Sequence, residues 1–227
     1  MRFRDFVNRG VRGKYFGRVA ERYDEREKQE QWIRQDKAFE RFFAQASETG
    51  GLVDVLDLPC GTGRWLPFLP QRVAYTGVDF SADMVARARG KAGQSLRPRF
   101  VVADAFGYLG GDPGRFDLVI STRFLPFFSQ RDAQGLVKKL CGVSRGFVVL
   151  DVKVRDSPLL REVLDSKRGR QLLRDRWRRL TGKDITQSHR RRSLLRVIGR
   201  SGFGLVDVEV IAESSWSRRE MWLLARR

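Results

Sequence analysis

Apolar side chains recur every three or four positions along the first fifty residues, and this spacing predicts helices. Side chains that follow it are Phe16, Val19, Ala20, Tyr23, Trp32, Phe39, Phe42 and Phe43. From residue 51 onward the pattern changes to short apolar runs separated by stretches of helical periodicity. The sequence therefore predicts an N-terminal helical cap over residues 1–50 and a second domain over residues 51–227.

The short apolar runs predict strands. Five of them alternate with helical stretches, namely Val53–Leu58, Val73–Val78, Phe100–Ala103, Phe116–Ser121 and Gly146–Val152. Strands that alternate with helices in this way form a parallel, doubly wound α/β sheet. Two further runs, Gly204–Ile211 and Glu220–Ala225, are joined by a polar stretch that is too short for a crossover helix. We expect these last two strands to pair as an antiparallel hairpin at the C-terminus.

The segment Val55–Arg64, with the sequence VLDLPCGTGR, is the candidate ligand-binding loop. A predicted strand ends at Asp57, and Gly61 and Gly63 follow, where the absence of a side chain lets the backbone approach a ligand closely. A helix is expected from about Arg64, and the free N–H groups at its start would favour a polar or anionic group. Asp79 ends the next strand 22 residues after Asp57. An interval of about 20 residues is typical of the acid that binds ribose hydroxyls in nucleotide-binding α/β folds.

These motifs resemble those of the class I S-adenosylmethionine-dependent methyltransferases. Asp57, Gly61 and Gly63 match the first motif of that family, and Asp79 matches the acid that ends its second strand. Asp104, in VVADAF, matches the acid after the third strand. The block FDLVISTRFLPFF matches the fourth-strand motif, and the closing SGFGLVDVEVIAE and REMWLLARR resemble the final hairpin, so the likeness spans roughly residues 15–227. The resemblance implies a Rossmann-like, seven-stranded sheet, transferase activity and S-adenosylmethionine as the cofactor.

One position departs from the family pattern. Pro59 stands where a glycine commonly begins the loop, and proline removes one N–H donor. A nicotinamide-binding fold is the rival interpretation of the loop. It is weaker, because the loop lacks the GxGxxG spacing and because a C-terminal hairpin is typical of the methyltransferases.

The resemblance also implies which residues bind the cofactor: Asp57, Gly61, Gly63, Asp79, Phe80, Met84, Asp104, Ala105 and Phe106. Asp57 would meet the methionine end, and the glycines would let the chain pass close to it. Asp79 would accept both ribose hydroxyls, and Asp104 would accept the adenine amino group. The remaining residues would pack on the adenine or close its edge. The alternatives are a helix N-cap or a solvated strand end for each acid, and core packing for the aromatic residues and the methionine.

No catalytic residue is identified from the sequence, because methyl transfer from a sulfonium mainly requires that donor and acceptor be aligned. His189 is the single histidine, and it is either a base or a solvated surface residue. Tyr15, Tyr23 and Trp32 lie on the helical cap, which we expect to close over the cofactor as a lid. The fourth-strand block lacks the Asn/Asp-Pro-Pro-aromatic signature of base-amine methyltransferases. Cys60 and Cys141 do not support a paired-cysteine mechanism on a base carbon.

The charge of the chain indicates an anionic partner. The net charge is +18, from 45 Lys and Arg against 27 Asp and Glu, and a basic insertion over residues 153–200 holds 16 of the basic residues and 5 of the acidic ones. Apolar residues recur at helical spacing within this insertion. Three interpretations stay open: a solvated cover over the acceptor site, a surface that docks anionic lipid or a phosphorylated glycan, and a surface that binds RNA or DNA.

Composition excludes several other classes of protein. Two cysteines and one histidine form neither a disulfide framework nor a zinc cluster, and no metal site is predicted. No apolar run reaches the ~20 residues of a membrane span, and the basic N-terminus lacks the apolar stretch of a signal peptide. We expect a cytoplasmic protein, with peripheral contact to a membrane as an open alternative.

The function that these observations predict is transfer of a methyl group from S-adenosylmethionine to an oxygen or nitrogen. The expected acceptor is anionic or membrane-associated, that is, a small molecule, a lipid or a glycan. An RNA methyltransferase is the first alternative. A non-catalytic partner protein that only binds the cofactor is the second.

Overall fold

The parallel strands end at one edge of the sheet, where the candidate site lies. A computed structural model describes residues 29–48, 51–92, 98–155, 187–213 and 217–227. The five parallel strands are β1 (Asp54–Asp57), β2 (Ala74–Asp79), β3 (Arg99–Val102), β4 (Phe116–Ser121) and β5 (Ser144–Arg155). Their order is β3-β2-β1-β4-β5, and all four neighbouring pairs are parallel. The predicted doubly wound α/β sheet is therefore confirmed.

The last two strands form the predicted antiparallel hairpin. They are β7 (Phe203–Glu213) and β8 (Arg218–Arg226), and β8 also pairs antiparallel with β5. A short strand, β6 (His189–Arg190), pairs in parallel with the end of β5. Within the described residues, the sheet thus has the seven predicted strands in the order β3-β2-β1-β4-β5-β8-β7, with β6 added beside β5.

Five α-helices lie among the described residues: α1 (Glu30–Glu48), α2 (Ala82–Lys91), α3 (Ala105–Tyr108), α4 (Gln130–Val143) and α5 (Arg191–Arg200). Two of them begin at serine caps that follow β2 and β4. The Ser81 hydroxyl accepts from the Met84 amide, and the Ser129 hydroxyl accepts from the Asp132 amide. Such caps satisfy N–H groups that have no partner within the helix. They fix the helix starts near the edge of the sheet where the parallel strands end.

Helix α1 is part of the hydrophobic core. Its buried Phe39 stacks on Trp65 with ring centroids 4.3 Å apart, and Phe42 belongs to the same cluster as residues of β1 and β2. Arg41, on the exposed side, bonds to Asp207 and Glu209 of β7. The part of the predicted cap that the structure describes is therefore packed against the sheet. Tyr15 and Tyr23 lie outside the described residues, as do residues 156–186 of the basic insertion.

The helix expected after the glycine loop does not form. Turns lead instead into a short 3₁₀ helix, Leu66–Phe68, which contains Pro67 and ends at Leu69 in an extended conformation. The physical reason is Pro70, because a residue before proline disfavours the helical conformation and proline itself has no N–H to donate. The prediction of an α-helix from Arg64 is therefore wrong. The backbone N–H groups near the candidate site belong to the glycine loop and not to the start of an α-helix.

Candidate functional site

The glycine loop after β1 has the backbone conformation that the sequence analysis required. Gly61 and Gly63 have φ values of +53° and +76°, in the left-handed region that favours glycine. A Cβ atom at Gly63 would lie 2.5 Å from Leu66 Cδ1 and 3.1 Å from Ala88 Cβ. A Cβ atom at Gly61 would meet nothing within 4 Å, because Gly61 faces a cavity. Gly63 therefore allows the loop to pack on α2, and Gly61 presents open backbone to a ligand.

Asp79, at the end of β2, is held by two backbone amides. Its Oδ2 accepts from the Gly61 N–H at 2.9 Å, and its Oδ1 accepts from the Ser81 N–H at 2.9 Å. The side chain is 5% exposed, and burial raises its pKa to about 6 against the lowering effect of these bonds. Each carboxylate oxygen has a second lone pair, so the group retains the capacity to accept two hydroxyl donors.

Asp57, at the end of β1, is fully buried. The Tyr75 hydroxyl donates to its Oδ2 at 2.8 Å, whereas Oδ1 has no hydrogen-bond partner among the described residues. Burial raises the pKa of Asp57 to about 8; the Tyr75 bond opposes this shift, and the nearby charge of Asp79 adds to it. A buried carboxyl group with one unused oxygen fits a cationic amino group better than it fits an anion.

A cavity opens beside this loop. Its lining residues are Trp32, Pro59, Cys60, Gly61, Thr62, Arg64, Trp65, Asp79, Phe80, Met84, Thr122, Arg123, Phe124 and Phe127. Four of the predicted cofactor-binding residues line it: Gly61, Asp79, Phe80 and Met84. Asp57, Gly63, Asp104, Ala105 and Phe106 are not among the lining residues. The binding role of all nine stays a prediction.

Asp104 has a structural role that the sequence analysis named as an alternative. It caps α3, with its Oδ1 accepting from the Phe106 amide at 3.1 Å and its Oδ2 from the Gly107 amide at 2.8 Å. Phe106 packs edge-on against Phe128 with ring centroids 5.4 Å apart. The Ala103 amide bonds to the Asp79 carbonyl, so this turn lies next to the end of β2.

Two arginines that the sequence analysis did not identify lie in the cavity wall. Arg64 ends the glycine loop and Arg123 follows β4, and their guanidinium carbons lie 4.0 Å and 3.7 Å from the centre of the Trp32 ring. The Trp65 indole N–H donates to the Thr122 hydroxyl at 3.1 Å, which joins the same two loops. The sequence signal for Arg123 was its place just after a parallel strand, at the edge where α/β folds bind ligands.

Gln35 of α1 holds both arginines. Its Oε1 accepts from Arg64 Nη1 at 2.8 Å and from Arg123 Nη2 and Nε at 2.9 Å and 3.1 Å. Its Nε2 donates to Asp151 Oδ2 at 2.5 Å, and Asp151 also accepts from Arg219 Nε at 2.8 Å. Gln35 and Asp151 are both fully buried. This network joins α1, the glycine loop, β4, β5 and β8 at the cavity.

His189 is fully buried, so the expectation of a solvated surface residue is wrong. Its Nε2 lies 2.9 Å from the Leu125 carbonyl oxygen, while Nδ1 has no partner among the described residues. Burial lowers the pKa of His189, with Arg155 adding to the shift, so the imidazole is neutral near pH 7. His189 is not among the residues that line the cavity, and its position on β6 does not support the base role.

Comparison with known proteins agrees with this architecture. Residues 55–145 match a family model described as a methyltransferase domain. Magnesium protoporphyrin IX methyltransferase from Synechocystis PCC 6803, solved with bound S-adenosylhomocysteine, has a similar structure, with a TM-score of 0.64 and 18% identity over 99% of this chain and 98% of that one. The N-methyltransferase NodS from Bradyrhizobium japonicum WM9 gives a TM-score of 0.59 at 11% identity, over 85% of this chain and 87% of that one. These structural matches define the fold.

A curated relative matches a shorter stretch more closely. Phosphatidylethanolamine N-methyltransferase from Cereibacter sphaeroides is 49% identical over 51 residues, which are 22% of this chain and 24% of that protein. The fold is that of the class I methyltransferases. The domain match over residues 55–145 agrees with the methyltransferase motifs that the sequence analysis identified, and the activity of the whole chain is taken up below as a proposal.

The site has the chemistry that S-adenosylmethionine requires. The open backbone at Gly61 allows close approach of a ligand, whereas a bond from the amino group of the methionine part to the unused Oδ1 of the buried Asp57 stays a prediction. Asp79 suits a pair of ribose hydroxyls. When bound, the cofactor supplies an electrophilic methyl group on sulfur. S-Adenosylmethionine is the cofactor of this class, and the residues present fit it.

Proposed function

We propose that this protein transfers a methyl group from S-adenosylmethionine to an oxygen or nitrogen of an anionic small molecule, lipid or glycan. One observation carries the proposal. Residues that are predicted to bind the methyl donor line the same cavity as basic and aromatic side chains. Gly61 and Asp79 line it together with Arg64, Arg123 and Phe124. An acceptor bound against Arg123 and Phe124 would therefore share the cavity with a cofactor bound against Gly61 and Asp79.

The cavity supplies alignment rather than a base. Few of its described lining residues carry a group that gains or loses a proton near neutral pH. Asp79 is assigned here to the ribose, and burial raises the pKa of the Cys60 thiol far above neutrality. Thr122 and the aromatic rings do not titrate near pH 7. Holding donor and acceptor in line is worth many orders of magnitude in rate, because it removes translational and rotational freedom in advance.

The acceptor class is proposed from charge and from the local relative. The net charge of +18 favours an anionic acceptor. The 51-residue likeness to a phosphatidylethanolamine N-methyltransferase is consistent with a lipid acceptor. Across the described segments, no helix combines the length and the apolar character needed to cross a bilayer. A lipid acceptor would therefore require peripheral contact with the membrane by the part of the chain that carries this site.

The proposal is tested by methyl transfer from labelled S-adenosylmethionine to separated cell fractions. Lipid, glycan, small-molecule, RNA and protein pools are incubated with the purified protein, and the label in each is counted. The proposal expects the label in one of the first three pools. Label in RNA alone would replace it with RNA methylation. Cofactor binding without label in any pool would favour a non-catalytic partner protein.

A further inference from the structure

We propose that the outer sides of α4 and α5 form a cationic face that docks on a bilayer containing anionic phospholipid. This inference rests on the proposed function, because it names the surface by which the protein would reach a membrane-associated acceptor. The residues of the cationic face are exposed basic side chains on two neighbouring helices: Arg131 and Lys138 on α4, and Arg192, Arg196 and Arg200 on α5.

Helix α5 separates charge from apolar residues along its length. Arg192, Arg196 and Arg200 are spaced four residues apart and are all exposed, so they form one row along the helix. Leu194 and Ile198 lie on the opposite side and are buried. The rise of about 1.5 Å per residue places successive arginines of the row about 6 Å apart. The helix contains no acidic residue, so nothing within it neutralises the row.

Helix α4 extends this row of charge into a surface. It packs on the same side of the sheet as α5, because Leu136 and Leu140 belong to the same core cluster as Leu194 and Ile198. The two helices are also joined directly, since Gln134 Nε2 donates to the Ser193 carbonyl at 3.4 Å. The outer sides of both helices therefore point away from the same side of the sheet. The exposed positions of α4 are two basic residues and two glycines, Arg131, Gly135, Lys138 and Gly142.

The five cations of this face have no structural partner among the described residues, where their side chains form no ion pair and no hydrogen bond. Exposed arginines elsewhere in the described structure do have such partners. Arg41 pairs with Asp207 at 2.9 Å, and Arg145 pairs with Asp54 at 2.6 Å. A surface on which five positive charges lie without carboxylates is complementary to an anionic partner.

The composition of the face favours a bilayer over RNA. Neither α4 nor α5 contains an aromatic residue, whereas proteins that bind single-stranded RNA stack bases on aromatic side chains. A bilayer surface requires only charge. Each Lys or Arg near an anionic bilayer contributes about 1 kcal/mol, which is roughly a fivefold gain in partitioning. Five such residues are sufficient for peripheral binding without any inserted segment.

The cationic face adjoins the cavity at the start of both helices. The Arg190 amide, just before α5, donates to Gln130 Oε1 at the start of α4 at 2.7 Å. The neighbouring His189 contacts the Leu125 carbonyl oxygen at 2.9 Å. Leu125 lies between Phe124 and Phe127, which line the cavity. Docking through this face would therefore bring the cavity wall close to the lipid headgroups.

The test measures binding of the full-length protein to vesicles by sedimentation. Vesicles of phosphatidylcholine with about one third phosphatidylglycerol are compared with pure phosphatidylcholine vesicles at about 0.1 M salt, where the Debye length is about 10 Å. The variants are Arg196→Glu with Arg200→Glu, and Arg196→Gln with Arg200→Gln. The matched control is Arg72→Glu with Arg99→Glu. Arg72 and Arg99 are exposed near the starts of β2 and β3, at the edge of the sheet opposite the candidate site.

We expect wild type to bind only the anionic vesicles. The Arg196→Glu, Arg200→Glu variant should partition at least tenfold more weakly, and the glutamine pair should show a smaller loss because it adds no repulsion. The control should change less than threefold, although it alters the net charge by the same amount. Thermal unfolding checks that each variant is folded.

Four results would overturn the inference. They are no binding of wild type to the anionic vesicles, equal partitioning of wild type and Arg196→Glu, Arg200→Glu, an equal loss in the control, and binding that persists at about 1 M salt, where the Debye length is about 3 Å. Structured RNA is titrated in parallel. Loss of RNA binding in Arg196→Glu, Arg200→Glu without vesicle binding by wild type would assign the face to RNA instead.

The same proteins are titrated with S-adenosylhomocysteine, and its affinity should stay within twofold of wild type in every variant. Failure of wild type to bind S-adenosylhomocysteine would reject the proposed function, whereas the vesicle measurements would still decide the role of the cationic face.

Discussion

The backbone N–H of Gly61 donates a 2.9 Å hydrogen bond to Oδ2 of Asp79. This bond joins the loop after β1 to the acid that ends β2, and the Cys60 amide reinforces the junction by bonding to the Val78 carbonyl. The two parts of the cofactor motif are therefore one unit before any ligand binds. A change at Asp79 will act on the ribose contact and on the loop together.

Replacing Asp79 with alanine should weaken the binding of S-adenosylhomocysteine by about 1.5–3 kcal/mol, the range for losing hydrogen bonds to a charged group. Asp79→Asn keeps the side-chain size and one acceptor oxygen, so it should lose less. Isothermal titration of both variants measures the effect. Unchanged affinity in Asp79→Ala would remove Asp79 from the ribose role.

Asp104 offers a test that separates helix capping from adenine recognition. Serine is a good N-cap but is too short to reach beyond the cap, so Asp104→Ser should keep the thermal stability of the protein. Asp104→Ala removes the cap and should cost about 1 kcal/mol of stability. If the carboxylate also accepts the adenine amino group, both variants lose S-adenosylhomocysteine affinity. Full affinity in Asp104→Ser would leave Asp104 with the capping role alone.

The buried carboxyl group of Asp57 makes stability depend on pH. Its pKa is about 8 in the folded protein against an ordinary value of 3.8, so the native state holds a proton that the unfolded chain releases. The stabilisation is complete below pH ~4 and is lost as pH rises through about 8. Asp57→Asn cannot lose this proton, and its stability should therefore fall less than that of the wild type over this range.

Urea unfolding of the two proteins at several pH values between 5 and 9 checks this prediction. The relevant quantity is the difference between the two curves, since Asp79, with a pKa of about 6, contributes its own change to both proteins. Parallel curves for wild type and Asp57→Asn would contradict the assignment of the high pKa to Asp57.

The sequence predicted the parts of the site that follow from the ends of apolar runs. Asp57 and Asp79 were found because each ends a buried strand, and both strands end at those residues in the structure. The contacts of Gln35 were not predictable in this way, because its partners Arg123 and Asp151 lie 88 and 116 residues away in the chain. An apolar pattern records which face is buried, but it does not record which polar groups meet there.

Two errors have definite physical causes. The helix expected after Arg64 does not form, because two prolines follow within six residues. Proline restricts the backbone and removes N–H donors, which prevents the helix that the family pattern implies. The burial of His189 was missed because three arginines follow it. In the structure Arg190 and Arg192 are exposed, whereas His189 points inward and contacts the Leu125 carbonyl.

The structure describes the C-terminal part of the basic insertion, where exposed arginines stand beside one that contacts buried residues. We expect the exposed arginines to affect partner binding and the other arginine to affect stability. Arg190 and Arg192 are exposed, so the double variant Arg190→Glu, Arg192→Glu should leave S-adenosylhomocysteine affinity within twofold. It should weaken sedimentation with vesicles that contain anionic lipid, because it reverses two positive charges at the surface. If RNA is the partner instead, RNA binding falls and its salt dependence flattens by about one unit per lost phosphate contact. Unchanged vesicle and RNA binding would make these residues part of a solvated cover.

Arg191 is the matched contrast within the same run of arginines. Its Nε donates to Oε2 of the buried Glu220 at 3.1 Å, and its guanidinium lies over the Trp222 ring. Arg191→Glu should therefore lower stability by about 1–3 kcal/mol, because it places a second carboxylate beside a buried one. Thermal unfolding measures the loss. A stable Arg191→Glu protein would show that the ion pair contributes little.

The claim that one cavity brings a methyl donor to an anionic acceptor is tested most directly by labelled methyl transfer with wild-type protein, Asp79→Ala and Arg123→Gln in parallel. The wild type should label a lipid, glycan or small-molecule pool and form S-adenosylhomocysteine in equal amount. Asp79→Ala should require a higher cofactor concentration for the same rate, and Arg123→Gln should require a higher acceptor concentration. Label confined to RNA or protein, or binding of the cofactor with no labelled product, would contradict the account.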